Sequence, residues 1–389
     1  MKKIGILTFH RATNYGAVLQ AYSLITKLKK IHPEYSFEII DYSTSRAEID
    51  HKKDVLRAFI RNGIKQGISI YKKNRMFKTF SNGLPISKKK IVSDDIIELF
   101  KFINEEYDGV IVGSDAVFSW NGKKFPSAYL LGEKLSIPKV SYAASAHRLF
   151  YKDATSDKIE YCKQGFSTYE YIGVRDKETE KLVHYCNPEL NTHHNCDPTF
   201  LLDIQDIREK GKKCRERLQS IGVNLKKPII VVMTPDEKIG ECVFRKYGKS
   251  HDIVSVFVPN KYIEKQILDL KPFEWASIFQ YADITVTEYF HATILSLLNG
   301  VPTVSVDRLN TTSGYEGKIK DLLCRRLELS DFYINNDDLK NNYNIVLDKM
   351  EHVMGFSYTN KINEAIEEEK MFFNDFDEYF KKIMGNRNA

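Results

Sequence analysis

The sequence predicts an α/β chain built as two doubly wound, Rossmann-like domains facing a cleft. Three observations predict it. Apolar runs with no polar interruption, such as Gly109-Val110-Ile111-Val112 and Pro228–Met233, read as strands of a parallel sheet covered on both faces. These runs alternate with stretches of helical periodicity. A charged, apolar-poor stretch over 201–227 is then followed by a second series of the same kind. At 389 residues the chain is long for one core and comfortable for two.

In chain order, Ile4–Phe9 is the first expected strand, and Tyr15–Lys30 follows as a helix with apolar residues on one face. Phe37–Asp41 is a second strand. A helix is expected near Asp94–Asn104, then the strand at Gly109–Val112, strands at Lys139–Ala143 and Tyr171–Val174, and a helix over Lys177–Tyr185. The second series offers strands at Pro228–Met233, Ile253–Val258, Asp283–Thr287 and Pro302–Val306, with helices near Phe273–Tyr281 and His291–Leu298. The expected division is 1–205, 225–355 and a C-terminal part, 356–389, whose helix Lys361–Met384 is long enough to pack back across the domains.

Hydrophobic residues make up 42% and charged residues 28%, which excludes disordered and membrane-spanning classes. No apolar run approaches the roughly 20 residues needed to cross a bilayer. Met1-Lys2-Lys3 leads straight into Ile4–Phe9, too short and without a small-residue cleavage site for a signal peptide, so it reads as a strand. The six cysteines contain no C-x-x-C pair, which points to free thiols in the cytoplasm and to no metal site. The net charge of +6 is uneven. Residues 51–90 hold twelve Lys or Arg against Asp54 alone, a net of +11, leaving −5 for the rest. Leu56, Phe59, Ile60, Ile64, Ile68 and Tyr71 recur there at three- or four-residue spacing. A basic amphipathic helix results, suited to an anionic membrane surface, with nucleic acid as the competing use of such charge and a solvated face as the plain alternative.

Candidate site residues follow from strand ends, where open α/β sheets bind ligands. Asn14, Tyr15 and Gly16 open the first helix, where backbone can approach an anion. An Asn14 N-cap before an ordinary helix fits the same residues. No G-x-G-x-x-G fingerprint is present, so a nicotinamide cofactor is disfavoured. Ser114 and Asp115 follow the strand at Gly109–Val112 and could hold sugar hydroxyls, or simply cap a turn. Arg175 closes the strand at Tyr171–Val174, where it could clamp a carboxylate or phosphate, or pair with Asp176. The sharpest constellation is Thr287-Glu288-Tyr289-Phe290-His291-Ala292-Thr293, a strand-to-helix turn in which histidine, a proton carrier near neutral pH, stands at a helix N-terminus. Glu288 could orient its ring. The pair His193-His194 lies in a polar loop, and His147 and Arg148 near a strand end.

With Asn14-Tyr15-Gly16-Ala17-Val18-Leu19-Gln20-Ala21-Tyr22 in view, the chain resembles the polysaccharide pyruvyl transferase family. Gly113-Ser114-Asp115, Ser141-Tyr142-Ala143-Ala144-Ser145, Val174-Arg175-Asp176, Asp197-Pro198-Thr199 and Phe290-His291-Ala292 follow in the family's order, spanning roughly 1–310. The resemblance implies a GT-B-like fold. It also implies transfer of pyruvate from phosphoenolpyruvate onto a sugar as a ketal, in cell-surface polysaccharide biosynthesis. His291 matches the family's functional histidine and Arg175 an arginine implicated in donor binding. Two positions depart from the pattern: Tyr289 stands where better-studied members carry Arg, and Ala116 where many relatives carry Gln.

On this reading His291 and Glu288 are catalytic. Arg175, Tyr289, Phe290, Ala292 and Thr293 bind the donor, while Asn14, Tyr15, Gly16, Ser114 and Asp115 bind the acceptor. Phosphoenolpyruvate serves as co-substrate, with no metal or other cofactor. The acceptor sugar could be lipid-linked, with the 51–90 segment holding a cytoplasmic enzyme at the inner membrane face and no nucleic acid as partner. Two rival readings are a GT-B-type glycosyltransferase using a nucleotide sugar, and a non-catalytic surface-assembly protein of the same fold.

Overall fold

A computed structural model describes residues 1–120, 125, 127–132, 135–146, 149–308 and 315–385; side chains at 50–52, 54–59, 61–63, 65–67 and 69 lie outside the description. The chain divides into two compact units. The first comprises Met1–Leu201 with Phe372–Ala389, and the second Leu202–Met371.

The first unit begins with β1 (Lys3–Leu7), α1 (Tyr15–Ile31) and β2 (Ser36–Ile39). Asn14 caps α1 by accepting from the Ala17 amide at 3.3 Å, and Lys29 and Lys30 sit in its last turn, where the helix dipole favours cations. Next come β3 (Tyr42–Ser43), α2 (Ser45–Asn82), β4 (Ile91–Val92), α3 (Ile96–Glu106), β5 (Gly109–Val112), β6 (Lys139–Ala144), α4 (Ser156–Ser167), β7 (Tyr171–Val174), α5 (Lys177–Cys186) and β8 (His193–His194). The main sheet has the order β2-β1-β5-β6-β7-β8, with every pair parallel, and β3-β4 form a separate small sheet. Strands β5, β6 and β7 are buried along their whole length, as a parallel sheet covered on both faces requires, even though β6 carries Lys139 and Ser141.

The second unit contains α6 (Ile204–Lys210), α7 (Lys213–Ser220), β9 (Ile229–Met233), α8 (Glu237–Tyr247), β10 (Asp252–Val256), β11 (Lys265–Ile267), α9 (Pro272–Ser277), β12 (Ile284–Thr287), α10 (Phe290–Leu298) and β13 (Thr303–Asp307). After these come a single turn α11 (Lys318–Lys320), β14 (Tyr333–Asn335), α12 (Asn336–Asn341), α13 (Ile345–Met354) and α14 (Thr359–Gly385). Its sheet is again wholly parallel, in the order β11-β10-β9-β12-β13-β14.

Three expectations change. The stretch over 201–227 holds the division between the units but is not without structure. Its buried Ile207, Cys214 and Leu218 fold as α6 and α7, and the Ser277 hydroxyl donates to the Ile207 carbonyl at 2.9 Å. The basic segment is helical over Ser45–Asn82, and Gly83 ends it, so Lys88, Lys89 and Lys90 lie beyond the helix. Helix α14 belongs to both units by sequence: its residues from Phe372 on join the first, where Phe376 and Phe380 pack against Tyr142, Tyr171 and Phe37. Among the described residues no helix is long and apolar enough to cross a membrane.

Candidate active site and its relatives

In each sheet the chain winds outward from one strand and then returns to that strand's other side. The reversal falls between β1 and β5 in the first unit and between β9 and β12 in the second. Such switch points leave a crevice outside the carboxyl ends of the strands, the usual ligand position of this architecture.

At the second unit's switch point, backbone and hydroxyl bonds fix the turn that carries the predicted residues. The Glu288 amide donates to the Met233 carbonyl at 3.2 Å, the Thr287 hydroxyl to the same carbonyl at 3.1 Å, and the Tyr289 amide to the Thr287 hydroxyl at 3.0 Å. Tyr289 is the N-cap residue of α10, leaving His291 in the helix's first turn with 9% of its surface exposed. Phe290 and Ala292 are buried, the Phe290 ring meeting His291 edge-on at 5.3 Å. Thr293 is buried and bridges the Ser305 hydroxyl at 2.8 Å, a packing contact inside the unit. Tyr289 packs edge-on against Phe257, and burial raises its phenol above the ordinary range.

Glu288 does not lie against His291 as a partner. Its carboxylate accepts from Arg308 Nε at 2.5 Å and Nη2 at 2.6 Å, and from the Thr234 hydroxyl. Arg308, just past β13, also donates from Nη2 to Asp236 at 2.9 Å, and Tyr343 donates to the same carboxylate at 3.0 Å. Burial alone would lower the Arg308 pKa, but hydrogen bonds and charge from Glu288 and Asp236 outweigh it and raise it. Burial pushes the Asp236 carboxyl up; the bonds from Arg308 and Tyr343 pull it below the usual range. Nη1 of Arg308 takes no partner among the described residues, and 28% of the side chain is exposed. A charged fork held on one edge by two carboxylates thus keeps its other N–H groups available for an anion. Arg308 was not singled out from the sequence. The signal was there, because it follows a strand end as Arg175 does.

The first unit's switch point is filled by its own side chains. Gln20, on α1, donates to the Thr8 hydroxyl at 3.1 Å and accepts from the Ser114 hydroxyl; Thr8 in turn donates to the Ser114 carbonyl at 3.2 Å. All three are buried. Gly113 has φ +127°, and a Cβ there would lie 2.1 Å from the Tyr142 carbonyl oxygen, so this turn requires glycine. Of the five predicted acceptor residues, Tyr15, Gly16 and Ser114 are buried, with the Tyr15 ring against Phe77 at 4.9 Å. Asn14 is exposed and Asp115 partly so. Arg175, 1% exposed, donates from Nη1 to Asp197 at 2.8 Å and lies 3.6 Å from Asp115. Burial opposes its charge, and Asp197 and Asp115 outweigh that. The Asp176 carboxylate caps α5 through Thr179 and accepts from Ser145 rather than pairing with its neighbour. His193 stacks on Tyr171 at 4.4 Å and His194 meets Phe372 edge-on. His147 and Arg148 lie outside the described residues.

Beside this filled crevice the first unit holds a cavity of about 1010 Å3 that sequence reasoning did not find. It takes Thr8–Thr13 of the β1–α1 loop and none of the five predicted acceptor residues. Phe9, Tyr42, Phe77 and Tyr129 supply aromatic wall, and both ends of α2 contribute side chains. Behind the lining residues His10 and Arg11, Asp41 accepts from Arg11 Nε at 2.5 Å and from Arg11 Nη2, and lies 3.2 Å from His10 Nε2. Burial opposes the Asp41 charge, but His10 and Arg11 outweigh it and hold the carboxyl well below the usual range.

The polysaccharide pyruvyl transferase family model matches residues 14–310. The chain belongs to the polysaccharide pyruvyl transferase family. Membership supports a transferase acting in polysaccharide assembly, and the residues shared with the family sort into two groups in this structure. Arg175, Asp176, Asp197 and Gly113-Ser114-Asp115 lie in the first unit, whereas Phe290-His291-Ala292 opens α10 in the second. No sequence relative among curated proteins matches the chain. Among solved structures, the chain resembles UDP-GlcNAc 2-epimerase from Neisseria meningitidis bound to UDP-GlcNAc, with a TM-score of 0.56, 11% identity, and coverage of 98% of this chain and 100% of that one. The Methanocaldococcus jannaschii UDP-GlcNAc 2-epimerase gives 0.51 at 14% identity, covering 94% and 92%. The wall teichoic acid polymerase TagF gives 0.50 at 11% identity, covering 100% and 90%. At these identities the likeness establishes a GT-B-like fold, as the motif resemblance implied.

Proposed function

We propose that this family member transfers pyruvate from phosphoenolpyruvate onto two hydroxyls of a sugar as a ketal, during cell-surface polysaccharide assembly. The observation that carries the reading is the pairing, at one switch point, of His291 in the first turn of α10 with an arginine braced by Glu288 and Asp236. Arg308 Nη1 and the N-terminus of α10 would take the donor's phosphate and carboxylate. Arg308 thereby fills the role of the arginine that the family pattern places at position 289. Glu288 acts by positioning Arg308.

His291, protonated, gives its proton to the methylene carbon of phosphoenolpyruvate, and an oxocarbenium-like centre forms at the carbon bearing the phosphate. One sugar hydroxyl adds there and returns a proton to the imidazole. Phosphate then leaves with its electron pair, and the second hydroxyl closes the ketal while its proton goes to phosphate. Atoms balance with phosphoenolpyruvate and a diol entering, and the ketal and inorganic phosphate leaving. The acceptor is a sugar carried on a lipid at the inner membrane face.

Phosphate release from phosphoenolpyruvate in the presence of acceptor sugars tests this. Wild type should turn over, and His291→Ala should lose about 10²- to 10⁴-fold. Equal rates in the two proteins would remove His291 from the mechanism. Thermal stabilisation by a UDP-sugar and none by phosphoenolpyruvate would replace pyruvyl transfer with nucleotide-sugar transfer.

A further inference from the structure

The mechanism above draws its donor-side groups from the second unit, and the first unit holds a cavity of its own. Its lining includes Arg11, Arg46, Arg75, Lys78 and Lys90 against the acids Glu48 and Asp94. Both acids already serve protein groups. Glu48 accepts from Lys90 at 2.8 Å and from the Ser43 hydroxyl, and Asp94 accepts from the Ser45 amide. Arg11 is bound to Asp41. Arg75 and Lys78 are exposed at the rim, one turn apart on α2, and neither has a carboxylate within ion-pair distance among the described residues. At Arg75 and Lys78 the cavity rim therefore presents positive charge without a carboxylate partner among the described residues, over an aromatic wall.

The same helix carries the second half of the observation. Ile60 and Ile64 are each 74% exposed, and Ile68 and Tyr71 are also exposed. Their spacing of four, four and three places them on one face of α2, and the line runs into Arg75 and Lys78 at the cavity rim. Lys53 and Lys72 are exposed on the same helix. An exposed isoleucine line flanked by cations suits the interface of an anionic bilayer, where the apolar face enters the acyl boundary and the cations meet headgroups.

We propose that the first unit's cavity binds the diphosphate group of a lipid-borne acceptor, with Arg75 and Lys78 on its oxygens, while the isoleucine face of α2 lies in the membrane that holds the lipid. The inference rests on the reading of the acceptor as a lipid-linked sugar, and it assigns the part of the acceptor that carries no reacting hydroxyl. Cationic side chains bind the phosphates by charge-assisted hydrogen bonds, and the apolar chain leaves along the helix face into the bilayer. Binding of the remote group would position the sugar without touching the reacting atoms.

The test uses the full chain without phosphoenolpyruvate. Calorimetric titration with farnesyl diphosphate, inorganic pyrophosphate and farnesol should show farnesyl diphosphate binding at least tenfold more tightly than pyrophosphate, and farnesol not at all. The double variant Arg75→Ala, Lys78→Ala should weaken farnesyl diphosphate at least tenfold, and its unchanged unfolding temperature would show that it still folds. Sedimentation with vesicles containing phosphatidylglycerol should retain the protein, phosphatidylcholine vesicles should not, and Ile60→Ser with Ile64→Ser should abolish retention. Equal affinity for pyrophosphate and farnesyl diphosphate would overturn the lipid source in favour of a free phosphate compound. Affinity that ignores the double variant would overturn the site. Vesicle retention unaffected by the serine substitutions would overturn the membrane face. A chain that binds farnesyl diphosphate through Arg75 and Lys78 but releases no phosphate from phosphoenolpyruvate keeps this inference and removes the pyruvyl-transfer reading.

Discussion

The two switch points share a topology and differ in what fills them. In the first unit Gln20, Thr8 and Ser114 close the crevice with mutual hydrogen bonds, and the nearby Arg175 is sealed between Asp197 and Asp115. In the second, Arg308 bridges two carboxylates, yet more than a quarter of its side chain is exposed. An arginine at the carboxyl end of a parallel strand is therefore not one kind of residue. Buried and ion-paired within its own unit, it contributes to stability; braced on one edge and open on the other, it is available to a ligand.

Substitution separates the two roles, and the largest effect should fall on turnover. Arg308→Ala removes the anion fork and leaves Glu288 and Asp236 facing each other, so phosphate release from phosphoenolpyruvate should fall by about 10²- to 10³-fold, on the order of 2.7–4 kcal/mol of transition-state stabilisation. A variant with wild-type turnover would dissolve the contrast. Arg175→Met should act instead on folding, because it strands Asp197 as a buried carboxylate; a loss of about 3–5 kcal/mol is expected in urea unfolding. Gln20→Ala should cost less, about 1–3 kcal/mol, for the unpaired Thr8 and Ser114 groups it leaves. Should that variant gain affinity for a sugar, the filled crevice would prove to be an occluded site rather than a scaffold.

The smallest effect concerns pH. The Asp41 carboxyl is held below its ordinary value in the folded protein, so its contribution to stability is complete above about pH 4, where the unfolded group also ionises. That contribution is lost as pH falls through the lower folded value. Urea unfolding between pH 3 and 6 should therefore show an acid-side slope in wild type that is shallower in Asp41→Asn. Identical slopes would mean that His10 and Arg11 do not depend on this carboxylate.

What could be read from the sequence divides along the same line. Strands β5 and β7 announce themselves because both faces are buried, so no charged or hydroxyl side chain interrupts Gly109–Val112 and only a tyrosine opens Tyr171–Val174. The turn at Glu288–His291 was legible because a strand-to-helix junction can be located without knowing tertiary contacts. The cavity was not, since it is assembled by β3 and β4, two residues each, which bring the two ends of a 38-residue helix beside the β1–α1 loop. No local pattern encodes such a pairing. Gln20 was unreadable for a related reason: on a helix it looks like any polar position, and only the parallel pairing of β1 with β5 sets Thr8 and Ser114 within its reach.

The last helix carries a consequence for synthesis. Phe373, Phe376, Phe380 and Met384 are buried side chains of the first unit, and a Cβ on Gly109 of β5 would lie 3.0 Å from the Met384 sulfur. A nascent chain that has emerged through Leu201 therefore lacks the aromatic cover for Tyr142 and Tyr171 until the ribosome has made some 170 further residues. The half translated first must wait for the half translated last, so during elongation it is the second unit that can finish folding ahead of its predecessor.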